Sequence, residues 1–190
     1  MANKQKQETY TKPELLQWGE IALLQPIYQD NGKNGCIVYY CDGSYDKVRN
    51  SCATVRARMA KMYSVNIKEA EKAARAYKEY NRRRAVSVQL HEHCTLVPVV
   101  CRKAQRRNSG TLGYLVLERL YECTPVENGH TLLKFSETHK GVEIQQHFDT
   151  VQKQLLLAHQ LVRCYERDKE RKLRELQNHT GPKPHIGHNW

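Results

Sequence analysis

The spacing of hydrophobic residues changes character along this chain, and each change predicts an element. Ile21, Leu23 and Leu24 fall within Glu20 to Tyr28, and beyond the turn-like QDNGKNG the run Cys36 to Cys41 is strongly β-prone, so the pair reads as a hairpin. From Lys47 the period lengthens. Val48, Cys52, Val55, Met59 and Met62 recur every three or four residues, which places them on one side of a helix and leaves Arg49, Arg56 and Lys61 off that stripe. After a break near Ser64, Asn66 stands as the cap of a second helix with Glu69 at the capping-box position. KEAEKAARAYKEYN is good helix-forming sequence, with Ala70, Ala73, Ala74 and Tyr77 inward and Glu71 four residues before Arg75.

The period then shortens again. Val86, Val88 and Leu90 alternate with polar residues as in a half-buried strand, Thr95 to Val100 is a short β-branched run, and Leu112 to Tyr121 gives a third strand. Pro125 and Asn128-Gly129 signal a turn, after which His130 to Phe135 returns as a short antiparallel strand. The last element, Glu143 to Gln177, is helical. Ile144, Phe148, Val151, Leu155, Ala158, Val162 and Tyr165 alternate spacings of four and three, a heptad seam that ends where Lys169 and Lys172 take its positions. Such a seam packs on the protein's own sheet or on a partner helix. Leu156, Leu157 and Leu161 widen the apolar face, which suits contact with both, and Ile144, Phe148, Val151, Leu155 and Val162 are the candidate oligomer interface. The pattern as a whole predicts an α+β fold: an antiparallel sheet of about five or six strands, a central helical segment and a long C-terminal helix. Residues 1–18 read as a loosely held arm, 19–166 as a single domain, and 167–190 as a charged helix end and tail.

Charge changes the picture next. Lys47 to Arg107 carries sixteen Lys and Arg against four Glu, a net of +12 in a chain whose total is +11, so the remainder is −1. A field concentrated in one segment favours a polyanion over a small neutral substrate. The plainer account of such a run is solvated helix surface. Arg82, Arg83 and Arg84 close the predicted second helix, where cations complement the macrodipole by ~0.3–1 kcal/mol, an effect one arginine would supply. Arg102, Lys103, Arg106 and Arg107 occupy the connection CRKAQRRNSGT, which is polar, contains Gly110 and joins two strands. That connection reads as a cationic finger displayed by a stiff sheet. With Arg49 and Arg56 these residues form the candidate nucleic-acid interface.

Candidate chemistry adds little. Seven cysteines with no C-x-x-C pair predict reduced, mostly buried thiols rather than a disulfide framework. His91, Glu92, His93, Cys94 and Cys101 are the one dense group of metal-capable residues, and their spacing fits no common zinc pattern. No second carboxylate cluster supports a divalent-metal nuclease, and no phosphate-cradling glycine loop is present. The expectation is a protein with no catalytic site, metal or cofactor. No apolar run approaches the length of a membrane span, and MANKQKQETYTK lacks a signal-peptide core, which predicts a cytoplasmic location.

Taken in order, Arg49-x-Ser51-Cys52 at a helix start, TLVPVV, a basic loop entering GYLVLERL, Asn128-Gly129-His130-Thr131, Ser136, Gln145, Gln146 and a C-terminal apolar helix resemble the ComK family of competence transcription factors. The resemblance spans about Glu20 to Tyr165. It departs in a longer helical stretch around Ser64 to Tyr80, in looser spacing between Ser136 and the glutamines, and in its C-terminal tail. It implies a nucleoid-associated activator that binds paired A·T-rich boxes as a homodimer or dimer of dimers, reads the minor groove, and works with RNA polymerase and the adaptor of a Clp-type protease. Arginines on a slim loop suit a narrow A·T minor groove, whose negative potential attracts guanidinium groups. Arg106 and Arg107 would enter that groove, while Arg102, Lys103 and Arg82 to Arg84 would hold flanking phosphates. Two alternatives stay open: a sequence-indifferent RNA- or single-strand-binding module, with Tyr114 and Tyr121 as stacking candidates, and a metal-dependent nuclease using His91 and His93.

Overall fold

A computed structural model describes residues 10–77, 80, 85–104 and 110–179. Arg82, Arg83, Arg84, Arg106 and Arg107 lie outside these described residues. The described residues form nine strands, β1 (Ile21–Tyr28), β2 (Asn34–Tyr40), β3 (Tyr45–Val48), β4 (Val88–His91), β5 (Cys94–Val100), β6 (Leu112–Val116), β7 (Glu122–Pro125), β8 (Thr131–Lys134) and β9 (Val142–Ile144). They also form three α-helices, α1 (Cys52–Met62), α2 (Ile67–Arg75) and α3 (Phe148–His179). Six strands make one antiparallel sheet in the order β3-β2-β1-β6-β5-β4, and β7-β8-β9 make a second, smaller one. The architecture is α+β, with the helical segment between β3 and β4 and the long helix at the C-terminus.

Both faces of the large sheet are covered. On one face Leu24, Val38, Tyr40, Leu96 and Tyr114 pack beneath α1 and α2 through Val55, Met59 and Ala74. On the other, Leu23, Val97, Val99 and Leu115 meet Leu133 and Ile144 of the small sheet and Val151, Leu155 and Ala158 of α3. This double cover explains why β5 is a continuous apolar run: every residue from Cys94 to Val99 is buried, and a strand with two dry faces has no use for alternation. In β1 the alternation is interrupted instead. Ile21 and Leu24 serve one core while Ala22 and Leu23 serve the other, because the β1–β2 register shifts between Ile21 and Leu23.

Several boundaries differ from the pattern-based expectation. Val48 belongs to β3, and α1 begins at Cys52 behind Ser51, whose hydroxyl accepts from the Thr54 N–H. Met62, at the helix end, is exposed. Asn66 does cap α2, its side chain accepting from the N–H groups of Lys68 and Glu69. The helix spans Ile67–Arg75, and the expected place of Arg82, Arg83 and Arg84 at a helix end lies outside the described residues. Ala73 is exposed, leaving Ala74 as the buried residue of α2, and Glu71 pairs with Arg75 at 3.6 Å. Leu112 to Tyr121 splits into β6, a short 3-10 turn over Leu117–Arg119 and a two-residue link to β7, which belongs to the other sheet. Ile144 lies in β9 rather than in the long helix, which starts at Phe148. Residues 10–18, expected as part of a loose arm, are attached: the Thr11 N–H donates to the Lys47 carbonyl, the Thr11 hydroxyl donates to Asp46, and Leu16 is buried.

Candidate nucleic-acid interface

The β5–β6 connection leaves the sheet as a true hairpin. Val100 pairs with Leu112, and the Cys101 N–H donates to the Thr111 carbonyl at 3.0 Å. Cys101 is buried, whereas Lys103, Ala104 and Gly110 are exposed, so the chain passes from core to solvent within two residues. β4 pairs with β5 only as far as Leu96. Past that point the Val100 N–H turns to the Gln146 side chain at 2.5 Å, and Gln146 donates in turn to Gln154 of α3, so the strand below the loop is anchored on both edges.

Arg102 stands at the loop base and is engaged through Nε, Nη2 and its flat face. Its Nε donates to the Gly110 carbonyl at 2.8 Å, its Nη2 donates to Asn34 Oδ1 at 2.7 Å, and the guanidinium carbon sits 3.5 Å from the centre of the Tyr28 ring. Stacking of a cation on an aromatic face adds electrostatic attraction to the two hydrogen bonds. Partial burial lowers the Arg102 pKa from its ordinary value, but a guanidinium stays protonated at any physiological pH. Tyr28 and Asn34 flank the β1–β2 turn, so two hairpins meet here. Gln29 ties in a third segment, since its amide donates both to the Asn34 carbonyl and to the Arg49 carbonyl at 2.8 Å, just ahead of α1.

One end of the large sheet therefore gathers the β1–β2 turn, the β3–α1 junction and the β5–β6 loop. Lys33, Arg49 and Lys103 are exposed there, Arg49 lying 5.3 Å from the Tyr10 ring centre, with Asp30 as an exposed acid in the same turn. The close approach of the strands below requires Gly113. A Cβ at that position would come within 2.4 Å of the Leu24 carbonyl and of Cys101 Sγ, both in packed neighbouring strands.

The other candidate residues are placed differently. Arg56 forms a 2.9 Å ion pair with Glu71 and lies over the Tyr114 ring at 4.6 Å, so its charge is neutralised between α1, α2 and the sheet. Tyr114, a stacking candidate in the sequence, is buried under it, while Tyr121 is exposed near the small sheet. Of the expected oligomer seam, Ile144, Val151 and Leu155 are buried in the chain's own core, and Phe148 and Val162 are half-buried. Those inner positions are thus occupied by the protein's own sheet. Beyond Tyr165 the helix runs on beside α2, where Tyr77 donates to Asp168 and crosses Tyr165 edge to face. Leu173 and Leu176 are exposed on this distal part and help line a groove of about 650 Å³ against Ala73, Ala76 and Tyr77.

Of the metal-capable group, His91, Glu92, His93 and Cys94 stay at the β4–β5 turn, with the His91 and His93 rings 5.9 Å apart, and Cys101 is set apart from them. His91 ends β4 and stacks on Tyr63, His93 lies exposed in the β4–β5 turn, and Cys101 follows the opposite end of β5 from Cys94. Among the described residues no three His, Cys, Asp or Glu side chains group as a metal site. All seven cysteines are free thiols. Cys36 and Cys52 touch, with Sγ to Sγ at 3.0 Å, and both are buried. No helix among the described residues is long and apolar enough to cross a membrane. Sequence reading missed Tyr28, Gln29 and Asn34, which appeared only as the end of the first strand and parts of the turn after it. Their tie to a loop far along the chain has no local signature.

Family models, curated proteins and solved structures were each searched, and none matches this chain.

Proposed function

We propose that this protein is a sequence-specific double-stranded DNA-binding transcriptional activator of the ComK-like kind, cytoplasmic and nucleoid-associated, working as a homodimer or dimer of dimers. The observation that carries the reading is the anchored cationic loop. A connection with the sequence Arg102-Lys103-Ala104-Gln105-Arg106-Arg107 leaves a sheet buried on both faces, at the end where Lys33 and Arg49 are also exposed. A stiff support beneath a basic loop is what minor-groove insertion asks for, because the groove is about 6 Å wide and admits a slim loop but not a helix. Arg106 and Arg107 read the narrow groove of an A·T tract, and Lys103, Lys33 and Arg49 hold flanking phosphates. Arg82, Arg83 and Arg84 add further phosphate contacts. The distal part of α3, with Leu173 and Leu176 exposed, is the surface left for self-association once the inner seam is occupied. RNA polymerase and a Clp-type adaptor are the protein partners this reading brings with it.

The test is fluorescence anisotropy on three probes: a duplex with two A·T tracts one helical turn apart, a scrambled duplex and a single strand. A preference of about 10³ or more for the A·T duplex is expected. With some six to ten phosphate contacts per dimer, affinity should fall ~10³–10⁵-fold between roughly 50 and 200 mM salt. Equal binding to all three probes would reduce the loop to a general electrostatic grip and overturn the reading. Preference for the single strand would favour a single-strand-binding module instead.

A further inference from the structure

We infer that Arg102 is a positioning residue for the DNA-reading loop, not a phosphate contact, and that Asn34 of the neighbouring hairpin is the other half of the device. The inference rests on the DNA-binding reading above and concerns how that one site is held. A guanidinium offers five donors in a fixed planar fork together with a flat face that stacks. The fork is spent on Gly110 and Asn34 and the face on Tyr28, and Nη1 is buried without a partner among the described residues. To grip a phosphate, this side chain would have to abandon the contacts that place it.

Those contacts have a definite mechanical effect. Arg102 and Gly110 stand on opposite limbs of the loop, so the Nε bond closes it one step beyond the Cys101–Thr111 backbone pair. The Asn34 bond then fixes the closed loop against the β1–β2 hairpin, which is itself held to the Arg49 segment through Gln29. This three-way tie fixes the two described limbs of the loop, at Arg102 and Gly110, against the sheet end. Asn34, which neighbours Lys33, and the Arg49 carbonyl are held in the same tie. A lysine at 102 would keep the charge but lose the fork and the stack.

Charge and position separate cleanly in the experiment. Anisotropy titrations of the A·T duplex across a salt series would compare wild type, Asn34→Ala, Arg102→Lys and the double variant, with thermal unfolding and amide hydrogen exchange of residues 101–111 measured on each. Asn34→Ala and Arg102→Lys are each expected to weaken binding roughly tenfold, the size of one lost charge-assisted hydrogen bond. The salt slope should stay unchanged, the double variant should be no weaker than Arg102→Lys, and exchange in the loop should rise in all three. A phosphate contact behaves otherwise: Lys would rescue it and Asn34→Ala would leave it intact. Wild-type binding with Asn34→Ala unaffected in affinity and exchange overturns the inference alone. Arg102→Lys that binds like wild type overturns it as well. Wild type that fails to bind any duplex removes the DNA reading itself, and loop exchange in the Asn34→Ala variant then still decides whether the tie holds the loop.

Discussion

Arg102 and Asn34 are 68 residues apart in the chain and 2.7 Å apart in the fold. Their hydrogen bond joins the β5–β6 loop to the β1–β2 hairpin, and it shows how the candidate interface is assembled: from connections that meet at one sheet end, each contributing charge or support. The loop tip and its support are therefore separable by mutation.

Replacing both Arg106 and Arg107 by Ala should abolish the preference for A·T tracts while leaving the fold intact. Each base-reading arginine is worth about 1–3 kcal/mol of discrimination, and removing two cations should lower the salt slope by about 2. Anisotropy on matched and scrambled duplexes reads the preference, and an unchanged melting temperature excludes unfolding as the cause.

Gly113→Ala should destabilise the protein by about 1–3 kcal/mol, the usual cost of forcing atoms into a packed core. The clash is with the Leu24 carbonyl, so β1 and β6 have to separate and cannot relieve it by a rotamer change. Urea unfolding with an unchanged slope and a lower midpoint is the expected result. Wild-type stability would show that the strands are farther apart than described.

Alkylation of the native protein should divide the seven cysteines. Cys36, Cys52, Cys94 and Cys101 are buried, and burial pushes the thiols of Cys52, Cys94 and Cys101 upward, Cys94 to about 12. Cys164 on the open side of α3 should label first, with Cys41 and Cys123 following, because burial raises both of these as well, Cys123 to about 11. Reaction requires the thiolate, so time-resolved mass spectrometry at pH 8 should show the first four reacting only on unfolding. Early labelling of Cys36 or Cys52 would place the α1 start outside the core.

Stability should fall steadily in alkali. Cys94 rises from the ordinary 9.0 to about 12, and Tyr77 rises from 10.0 to about 12 through burial first and its hydrogen bond to Asp168 second. Both pKa values are higher folded than unfolded. Between the two values the unfolded chain has lost the proton and the folded chain retains it, so the slope of unfolding free energy against pH is negative. The contribution is intact below about pH 9 and is lost as pH rises through about 12. Thermal melts from pH 8 to 11 should show a continuous decline, and Tyr77→Phe should soften it.

Elements with long, clean periods were legible in the sequence, among them the β1–β2 hairpin, the buried β5, the Asn66 cap and the long C-terminal helix. Two of the errors share one cause. Val48 ends β3 four residues before Cys52, and Ile144 ends β9 four residues before Phe148. In each case the last buried strand residue stands one helical turn ahead of the helix, and the spacing alone reads as a longer helix. β3 is only four residues with two of them charged, and becomes a strand through its partner β2. α2 stops at Arg75 in spite of helix-favouring sequence because Tyr80 is drawn into the core and Tyr77 onto Tyr165, packing that propensity cannot foresee. At the interface, the charges could be read one by one, but their grouping depends on contacts between residues far apart in the chain.

Because β5 is dry on both faces up to Val99 and the chain is exposed by Lys103, the sheet and the loop it carries are thermodynamically insulated from each other. Doubling the length of a loop carried from such a point costs only about 0.6 kcal/mol of closure entropy. The scaffold is in that sense a socket: the loop it carries can be changed while the core beneath stays as it is.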